Sequence, residues 1–108
     1  MLIESLFALM LKAAITGAVA GAVIALVCLN WEQIIAFMTG NTALKNSDID
    51  NVGFSLQEKV NNGNYKTVYG IFNNRTQKVL AAEEVNSQQV DERLAAEHHN
   101  NPLILFQN

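Results

Sequence analysis

The sequence predicts an α+β protein with one N-terminal transmembrane helix, followed by a small head of order αββαβ built on a three-stranded mixed sheet. Two observations lead to this fold class. Residues 13–29 contain no charged side chain, which is typical of a membrane-spanning helix. Residues 41–108 have ordinary polarity and alternate between helix-like and strand-like patterns. We therefore divide the chain into a membrane segment at 1–40, a linker at 41–46 and a small soluble head at 47–108.

The predicted spanning helix extends from about residue 13 to residue 30. A helix of this length rises about 27 Å, close to the hydrocarbon thickness of about 30 Å. Lys12 would reach one headgroup layer and Trp31 the opposite interface, so these two residues are the expected membrane-interface anchors. The predicted location is the membrane, with a single pass, and the flanking charges do not decide the side of the head. The alternative interpretation is a helix buried in a soluble oligomer.

One side of this helix consists almost wholly of small residues. They recur every four positions and include a GxxxG pair. Because lipid tails are as apolar as leucine, helices associate in a bilayer through the close packing that glycine and alanine permit. The expected helix–helix interface comprises Ala13, Ala14, Gly17, Ala18, Gly21, Ala22 and Ala25.

The head is expected to begin with a helix over residues 47–60. Ser47 is a suitable N-cap for it, and Gly63 lies where the helix is expected to end. Apolar residues recur within it at three- and four-residue steps, which predicts one apolar stripe. These residues are Ile49, Val52, Leu56 and Val60.

A β-hairpin is predicted for residues 65–72 and 78–85. Both runs are rich in apolar and strand-forming residues, and a polar turn separates them. In the first strand, Val68 and Phe72 would share one face. Gly70 on that face would leave space for a close approach.

The other face of this strand carries two tyrosines. Tyr65, Thr67, Tyr69 and Ile71 alternate along the run, so their side chains would point to the same side. Tyr65 and Tyr69 are therefore a candidate protein-contact surface, because tyrosine brings contact area at low entropic cost. Packing beneath a helix of the head is the alternative.

A second helix is expected after the hairpin, with Asn86 or Ser87 as its N-cap. It ends before Pro102, and Leu103–Phe106 follows as a final strand. Four consecutive apolar residues in that strand indicate that it is central or covered on both faces. Because crossover connections are right-handed, the helix would bring this strand parallel to the second strand of the hairpin.

No catalytic, metal or cofactor site is predicted. Cys28 is the only cysteine, so the chain holds no disulfide framework and no thiolate metal site. His98 and His99 would point about 100° apart on a helix, so that both cannot grip one ion. Glu83 and Glu84 would point to opposite faces of a strand. We therefore expect neither an enzyme nor a cofactor.

The charge balance also limits the partners. From residue 41 onward, six basic residues stand against eight acidic ones, which is too weak a basic character for binding phosphates. We expect no nucleic acid partner, and no small-molecule substrate is evident. The expected partners are the lipid bilayer and either further copies of the chain or the subunits of a larger membrane complex.

These observations predict a single-pass, membrane-anchored structural or adaptor protein. It would associate through its glycine-zipper-like transmembrane helix and present a protein-interaction head. The alternative is a small oligomeric pore-forming or membrane-permeabilising effector, in which several copies of the same helix pack into a ring. The alternative offers few polar groups for a lumen, since only Lys12 and Thr16 would line it.

Overall fold

The computed structural model describes residues 23–60, 62–99 and 101–106 of the chain. In these residues, five strands form one mixed sheet in the order β1-β4-β3-β2-β5, accompanied by three short helices. The strands are β1 Val23–Leu29, β2 Asn51–Lys59, β3 Tyr65–Asn73, β4 Lys78–Val90 and β5 Leu103–Phe106. The helices are α1 Trp31–Gly40, α2 Thr42–Asn46 and α3 Glu92–His98.

Strand β4 is the longest of the described strands, and its two halves have different neighbours. Along most of its length it pairs with β3 in antiparallel register, from Lys78 to Ser87. Its C-terminal half pairs with β1 in parallel, from Glu84 to Val90. Strand β2 pairs antiparallel to β3 on one side and to β5 on the other. The sheet is therefore antiparallel except at the β1 edge.

The predicted transmembrane helix is wrong. Its C-terminal part, Val23–Leu29, is strand β1 and pairs with β4. Within the described ranges, no helix is long and apolar enough to cross a membrane. The single-pass membrane location depended on this helix and is wrong with it. The physical reason is that an apolar run rich in β-branched residues fits a buried strand as well as a helix, and periodicity alone does not separate the two.

The predicted head of order αββαβ with a three-stranded sheet is also wrong. Residues 47–60, expected to form its first helix, instead contain strand β2. Val52, Leu56 and Val60 are separated by four positions, and an even spacing places side chains on one face of a strand as well as on one side of a helix. β2 lies between β3 and β5 in the sheet.

The second predicted helix begins later than expected. Asn86 and Ser87 are not helix caps, because β4 continues through them to Val90 and pairs there with β1. Helix α3 begins at Glu92 and is capped by the Asp91 side chain. The final strand is present, but it lies at the edge of the sheet, antiparallel to β2, and not parallel to the second strand of the hairpin.

The predicted hairpin is confirmed by the pairing of β3 with β4. Gly70 lies where these strands approach closely: a Cβ atom added there would overlap the carbonyl oxygen of Ala81 and lie 2.8 Å from Ala82 Cα. The register between the strands shifts beside it, between Ile71 and Phe72. A residue without a side chain is therefore required where the bulge brings the two backbones together.

The sheet has two faces with different cores. On the first face, side chains from the helices pack over the strands. The buried residues of this core are Leu29, Ile34, Met38, Tyr69, Ile71, Val85 and Leu94. On the second face, strand side chains form a separate cluster. Its buried residues are Phe54, Val68, Phe72 and Leu103.

A polar cluster holds the turn between β3 and β4. The buried Asn73 amide donates to Asn51 Oδ1 at 2.7 Å and to Asp48 Oδ2 at 3.1 Å. Its own oxygen accepts from the backbone amides of Arg75 and Thr76, at 3.0 and 2.9 Å. A hydrogen bond from the Asp50 amide and the nearby Arg75 guanidinium hold the pKa of Asp48 below its usual value. This turn is therefore fixed by paired polar groups.

Candidate functional site

Strand β1 forms one edge of the sheet and is the most exposed apolar element of the described chain. Val23 is 60% exposed and Val27 is 66% exposed, and Ala25 between them is also exposed. These three side chains alternate along the strand and therefore share one face. β4 pairs with one side of β1, and no other described strand pairs with its outer side. Among the residues that the structure describes, the outer backbone groups of β1 therefore have no strand partner.

The sequence of β1 lacks the features that usually protect a sheet edge. Its seven residues, VIALVCL, include no lysine, no other charged residue and no proline, and such residues commonly prevent pairing between sheet edges. At the opposite edge, β5 is only four residues long, and a short edge strand offers little to pair with. Of the two edges, β1 is therefore the one suited to accept a strand.

Both ends of the connection after β1 are fixed to the domain. Leu29 is fully buried in the core of the first face, and its carbonyl oxygen accepts from the Asp91 amide at 3.0 Å. Trp31, the first residue of α1, stacks on Phe106 with 5.5 Å between the ring centroids. The Arg93 guanidinium lies 5.7 Å from the Trp31 ring centroid. These contacts attach the C-terminal end of β1 to α3 and to β5.

A second feature is a chain of hydrogen bonds through His98 at the C-terminal end of α3. His98 Nε2 lies 3.0 Å from Ser55 Oγ, and Nδ1 lies 2.8 Å from the Asn101 carbonyl oxygen. Since a carbonyl oxygen only accepts, Nδ1 carries the proton and Nε2 accepts from the Ser55 hydroxyl. Burial lowers the pKa of His98 below its ordinary value, and the hydrogen bond to Asn101 opposes that effect. The histidine is therefore neutral around pH 7.

This arrangement resembles the contact between a nucleophile and its base, but its burial favours a structural role. Ser55 is fully buried in the middle of β2, and His98 is 5% exposed. A substrate therefore has no access to the Ser55 hydroxyl in this conformation. Through its two ring nitrogens, His98 attaches α3 to Ser55 of strand β2 and to Asn101 in the turn that follows the helix.

A cleft of about 440 Å³ lies beside His98. It is lined in part by Gln57, Lys59 and Tyr65, and Lys59 Nζ lies 5.6 Å from the Tyr65 ring centroid. Both His98 ring nitrogens already have partners, as described above. The cleft therefore offers no free imidazole nitrogen as a base or as a metal ligand. Within the described ranges, no group of three or more histidine, cysteine, aspartate or glutamate residues is placed to hold a metal ion.

The two tyrosines predicted as a contact surface lie in different environments. Tyr65 is half-buried at the cleft, whereas Tyr69 is fully buried in the first-face core. The Tyr69 hydroxyl donates to Glu83 Oε1 at 2.8 Å, and the Phe37 ring meets the Tyr69 ring edge-on at 5.2 Å. Burial and the adjacent Glu83 carboxylate raise the pKa of Tyr69 well above its ordinary value. Tyr69 therefore packs beneath α1 and is not accessible to a partner.

Only one residue of the predicted helix–helix interface is described by the structure. That residue, Ala25, lies on the exposed face of strand β1, beside Val23 and Val27. The predicted anchor Lys12 lies outside the described residues. The other six residues of the predicted interface also lie outside them: Ala13, Ala14, Gly17, Ala18, Gly21 and Ala22. The other predicted anchor, Trp31, packs against Phe106 as described above.

Neither the β1 edge nor the contact between Ser55 and His98 follows from the sequence alone. The two residues of the second site are 43 positions apart, and no spacing pattern connects them. The apolar character of β1 is visible in the sequence, but its position at an edge depends on its pairing with β4. Comparisons with protein-family models, curated proteins and solved structures gave no match to this chain.

Proposed function

We propose that this chain is a protein-interaction domain that assembles with a second copy of itself through strand β1. The observation that carries the proposal is the unprotected edge of β1, where Val23 and Val27 are more than half exposed. Adding a strand to such an edge gives its backbone groups hydrogen-bonding partners and places the side chains of the added strand beside Val23 and Val27. The role is structural, as a self-associating component or an adaptor.

A second copy is a suitable partner because β1 is complementary to itself. If two β1 strands paired antiparallel about a twofold axis at Leu26, Ala25 of one copy would lie opposite Val27 of the other. Small and β-branched side chains would then alternate across the interface, and no like charges would meet. The two sheets would join into one continuous sheet.

Membrane anchoring is not part of this proposal. The predicted association through a transmembrane helix required the spanning helix that strand β1 replaces. The pore-forming alternative required several copies of that same helix and loses its basis in the same way. What is retained from the sequence-based prediction is self-association and a structural role.

The proposal is tested by the oligomeric state of the purified full chain in analytical ultracentrifugation. The wild type is expected to show a dimer that dissociates on dilution. Val27→Lys should raise the dissociation constant at least about tenfold, because a lysine at a sheet edge opposes strand addition. Ile49→Lys is the matched control, since Ile49 is 97% exposed and lies outside β1.

Two results would contradict the proposal. One is a wild-type chain that stays monomeric at all concentrations in the experiment. The other is an equal effect of the lysine substitutions at Val27 and at Ile49, which would place the contact elsewhere or attribute it to net charge. Circular dichroism of each variant verifies that the fold is retained.

A further inference from the structure

Strand β2 extends beyond the strand that pairs with its outer side. β5 pairs with β2 from Gly53 to Leu56, and one further hydrogen bond runs from the Gln57 amide to the Pro102 carbonyl oxygen at 2.8 Å. β2 continues to Lys59 and stays paired with β3 as far as that residue. Among the described strands, none pairs with Lys59 on the β5 side. The C-terminal end of β2 therefore has a described strand neighbour on one side only.

The pairing of β5 with β2 stops at Pro102 for two reasons. Proline has no backbone N–H, so Pro102 cannot return the hydrogen bond that it accepts from Gln57. The preceding residue, Asn101, is held at the end of α3 and not in the sheet. Its amide donates to the His98 carbonyl oxygen at 2.7 Å, and its own carbonyl oxygen accepts from His98 Nδ1 at 2.8 Å. The chain thus leaves the line of β5 before it reaches Lys59.

The backbone groups of Lys59 point toward this interrupted line. In an antiparallel sheet, the N–H and C=O groups of one residue point to the same side, and the side alternates along the strand. Gln57 bonds toward β5, whereas the Val60 amide bonds on the β3 side, to the Asn64 carbonyl oxygen at 2.8 Å. Lys59, two positions after Gln57, therefore directs one donor and one acceptor to the β5 side. An added strand would pair with these groups.

The cleft of about 440 Å³ described above lies in this region. Its lining includes Gln57 and Lys59 of β2, Ala95 of α3, and Asn101 and Pro102 before β5. Ligand pockets commonly have volumes of about 300–1,000 Å³, so the cleft has room for a short peptide. Because Pro102 continues directly into β5, the line beside Lys59 is closed at that end. A strand that pairs with Lys59 must therefore end at Pro102.

Lys59 gives the cleft a positive charge. Its Nζ lies 5.6 Å from the Tyr65 ring centroid, and both residues belong to the first face of the sheet. Glu58 also lines the cleft, but its side chain alternates to the opposite face of β2, where it lies in register with Lys66. His98 is neutral around pH 7, as described above. The charge that the first face presents to the cleft is therefore positive.

This charge selects the end of the peptide that the closed end of the cleft can hold. A ligand strand antiparallel to β2 would meet Pro102 with its carboxyl terminus, and a parallel strand would meet it with its amino terminus. The Lys59 ammonium attracts a terminal carboxylate and repels a terminal amine. Asn101 adds a donor, because its Oδ1 already accepts from the Leu103 amide at 3.0 Å and its NH₂ group can only donate.

We propose that the cleft binds the C-terminal residues of a partner protein as a short strand antiparallel to β2. The strand bonds to the backbone of Lys59, and its terminal carboxylate lies at the Lys59 and Asn101 side chains. This site is on the β5 side of β2, at the other end of the strand order from the outer side of β1. The inference is therefore independent of the proposed self-association.

The proposal is tested with the purified full chain and a library of random-sequence hexapeptides that end in a free carboxylate. Peptides retained on the immobilised chain are sequenced, and each is measured by fluorescence anisotropy as the free acid and as the C-terminal amide. We expect saturable binding of the free acids and at least about tenfold weaker binding of the amides. In the ¹⁵N-labelled chain, the Lys59 amide resonance should shift on binding, because its N–H gains an acceptor.

Two pairs of variants locate the site. Lys59→Gln should weaken binding of the free acids about tenfold and leave the amides unchanged, whereas Lys78→Gln, at the exposed start of β4, should change neither. Ala95→Trp should fill the cleft and abolish binding of both forms. Ala96→Trp is its matched control, because Ala96 is equally exposed on α3 and is not among the residues that line the cleft. Circular dichroism verifies the fold of each variant.

Three results would overturn the proposal. One is a library from which no peptide binds saturably. Another is an equal effect of tryptophan at positions 95 and 96, or a Lys59 amide resonance that stays in place while other resonances shift, since either would put the peptide elsewhere. The third is equal affinity for the free acids and the amides, which would remove the terminal carboxylate from the contact.

Discussion

The backbone amide of Trp31 donates to both carboxylate oxygens of Asp91, at 3.2 and 3.1 Å, although 60 positions separate the two residues. The same carboxylate accepts from the Leu94 amide at 2.8 Å. Asp91 therefore accepts hydrogen bonds from backbone N–H groups in the first turns of both α1 and α3, where these groups have no partner within the helix. The residue that precedes α1, Asn30, makes no capping hydrogen bond through its side chain. One carboxylate thus positions two helices over the first face.

Replacing this carboxylate should destabilise the domain more than the loss of an ordinary surface charge. Asp91→Ala leaves donors at two helix ends without their partner, and we expect it to lower the free energy of unfolding by about 1–3 kcal/mol. Asp91→Asn should cost less, because asparagine is also a good N-cap. Urea unfolding followed by circular dichroism measures the difference.

Glu97→Ala is the matched control for this prediction. Glu97 accepts from Arg93 at 2.8 Å on the surface of α3, and an exposed pair at this spacing contributes only about 0.3–0.5 kcal/mol. Equal losses of unfolding free energy in Asp91→Ala and Glu97→Ala would contradict the shared capping role.

Two buried serines should respond to alanine in opposite directions. Ser87 Oγ has no hydrogen-bond partner among the described groups, so Ser87→Ala removes a buried polar group that gains nothing from the fold. We expect the unfolding free energy to rise by about 0.5–1 kcal/mol. Ser55→Ala should lower it by about 1–3 kcal/mol, because it leaves His98 Nε2 buried without a partner. The measurement is again urea unfolding at pH 7.5, and two changes of the same sign would contradict this assignment.

The domain should lose stability as the pH falls below about 6.5, the ordinary pKa of histidine. The pKa of His98 is lower in the folded chain than in the unfolded chain because the ring is buried. Between those two values the unfolded state binds more protons, so the unfolding free energy rises with pH, by at most about 1.4 kcal/mol per pH unit. His98 stabilisation is thus present above the unfolded pKa and is lost below it.

Urea unfolding between pH 5.5 and 7.5 measures this dependence. His98→Gln should flatten the slope over that range, whereas His99→Gln should leave it in place, since His99 is exposed at the end of α3. A wild-type slope that survives unchanged in His98→Gln would assign the effect to another group.

The β3–β4 hairpin could be predicted from the sequence because its signals are local. Alternation along β3 correctly separates Tyr69 and Ile71 on one face from Val68 and Phe72 on the other. The sequence also correctly predicts a close backbone approach at Gly70. Glycine has no side chain, so it is the position on this strand face where a neighbouring backbone can come near. These inferences used residues within one hairpin and needed no distant partner.

The strands β1 and β2 could not be predicted in the same way. The apolar segment Val23–Leu29 is a strand because β4 supplies its hydrogen-bonding partners about 60 positions later. A pattern within the segment itself cannot predict a partner so distant in sequence. The local pattern at residues 86–90 is typical of a helix start. These residues form a strand because they pair with β1, which lies about 60 positions earlier in the chain. Of the candidate site, the apolar composition was visible in the sequence, whereas the exposure of the edge follows only from the order of the strands.

The parallel pairing of β1 with β4 also has a consequence during synthesis. Val23 pairs with Glu84, so the first strand leaves the ribosome about 60 residues before its partner, which at about 5–20 residues per second is roughly 3–12 s. During that time an uncharged apolar segment is present on a nascent chain that lacks the neighbour it needs. Because pairings between distant segments form slowly, β1 stays without its β4 partner for at least this interval.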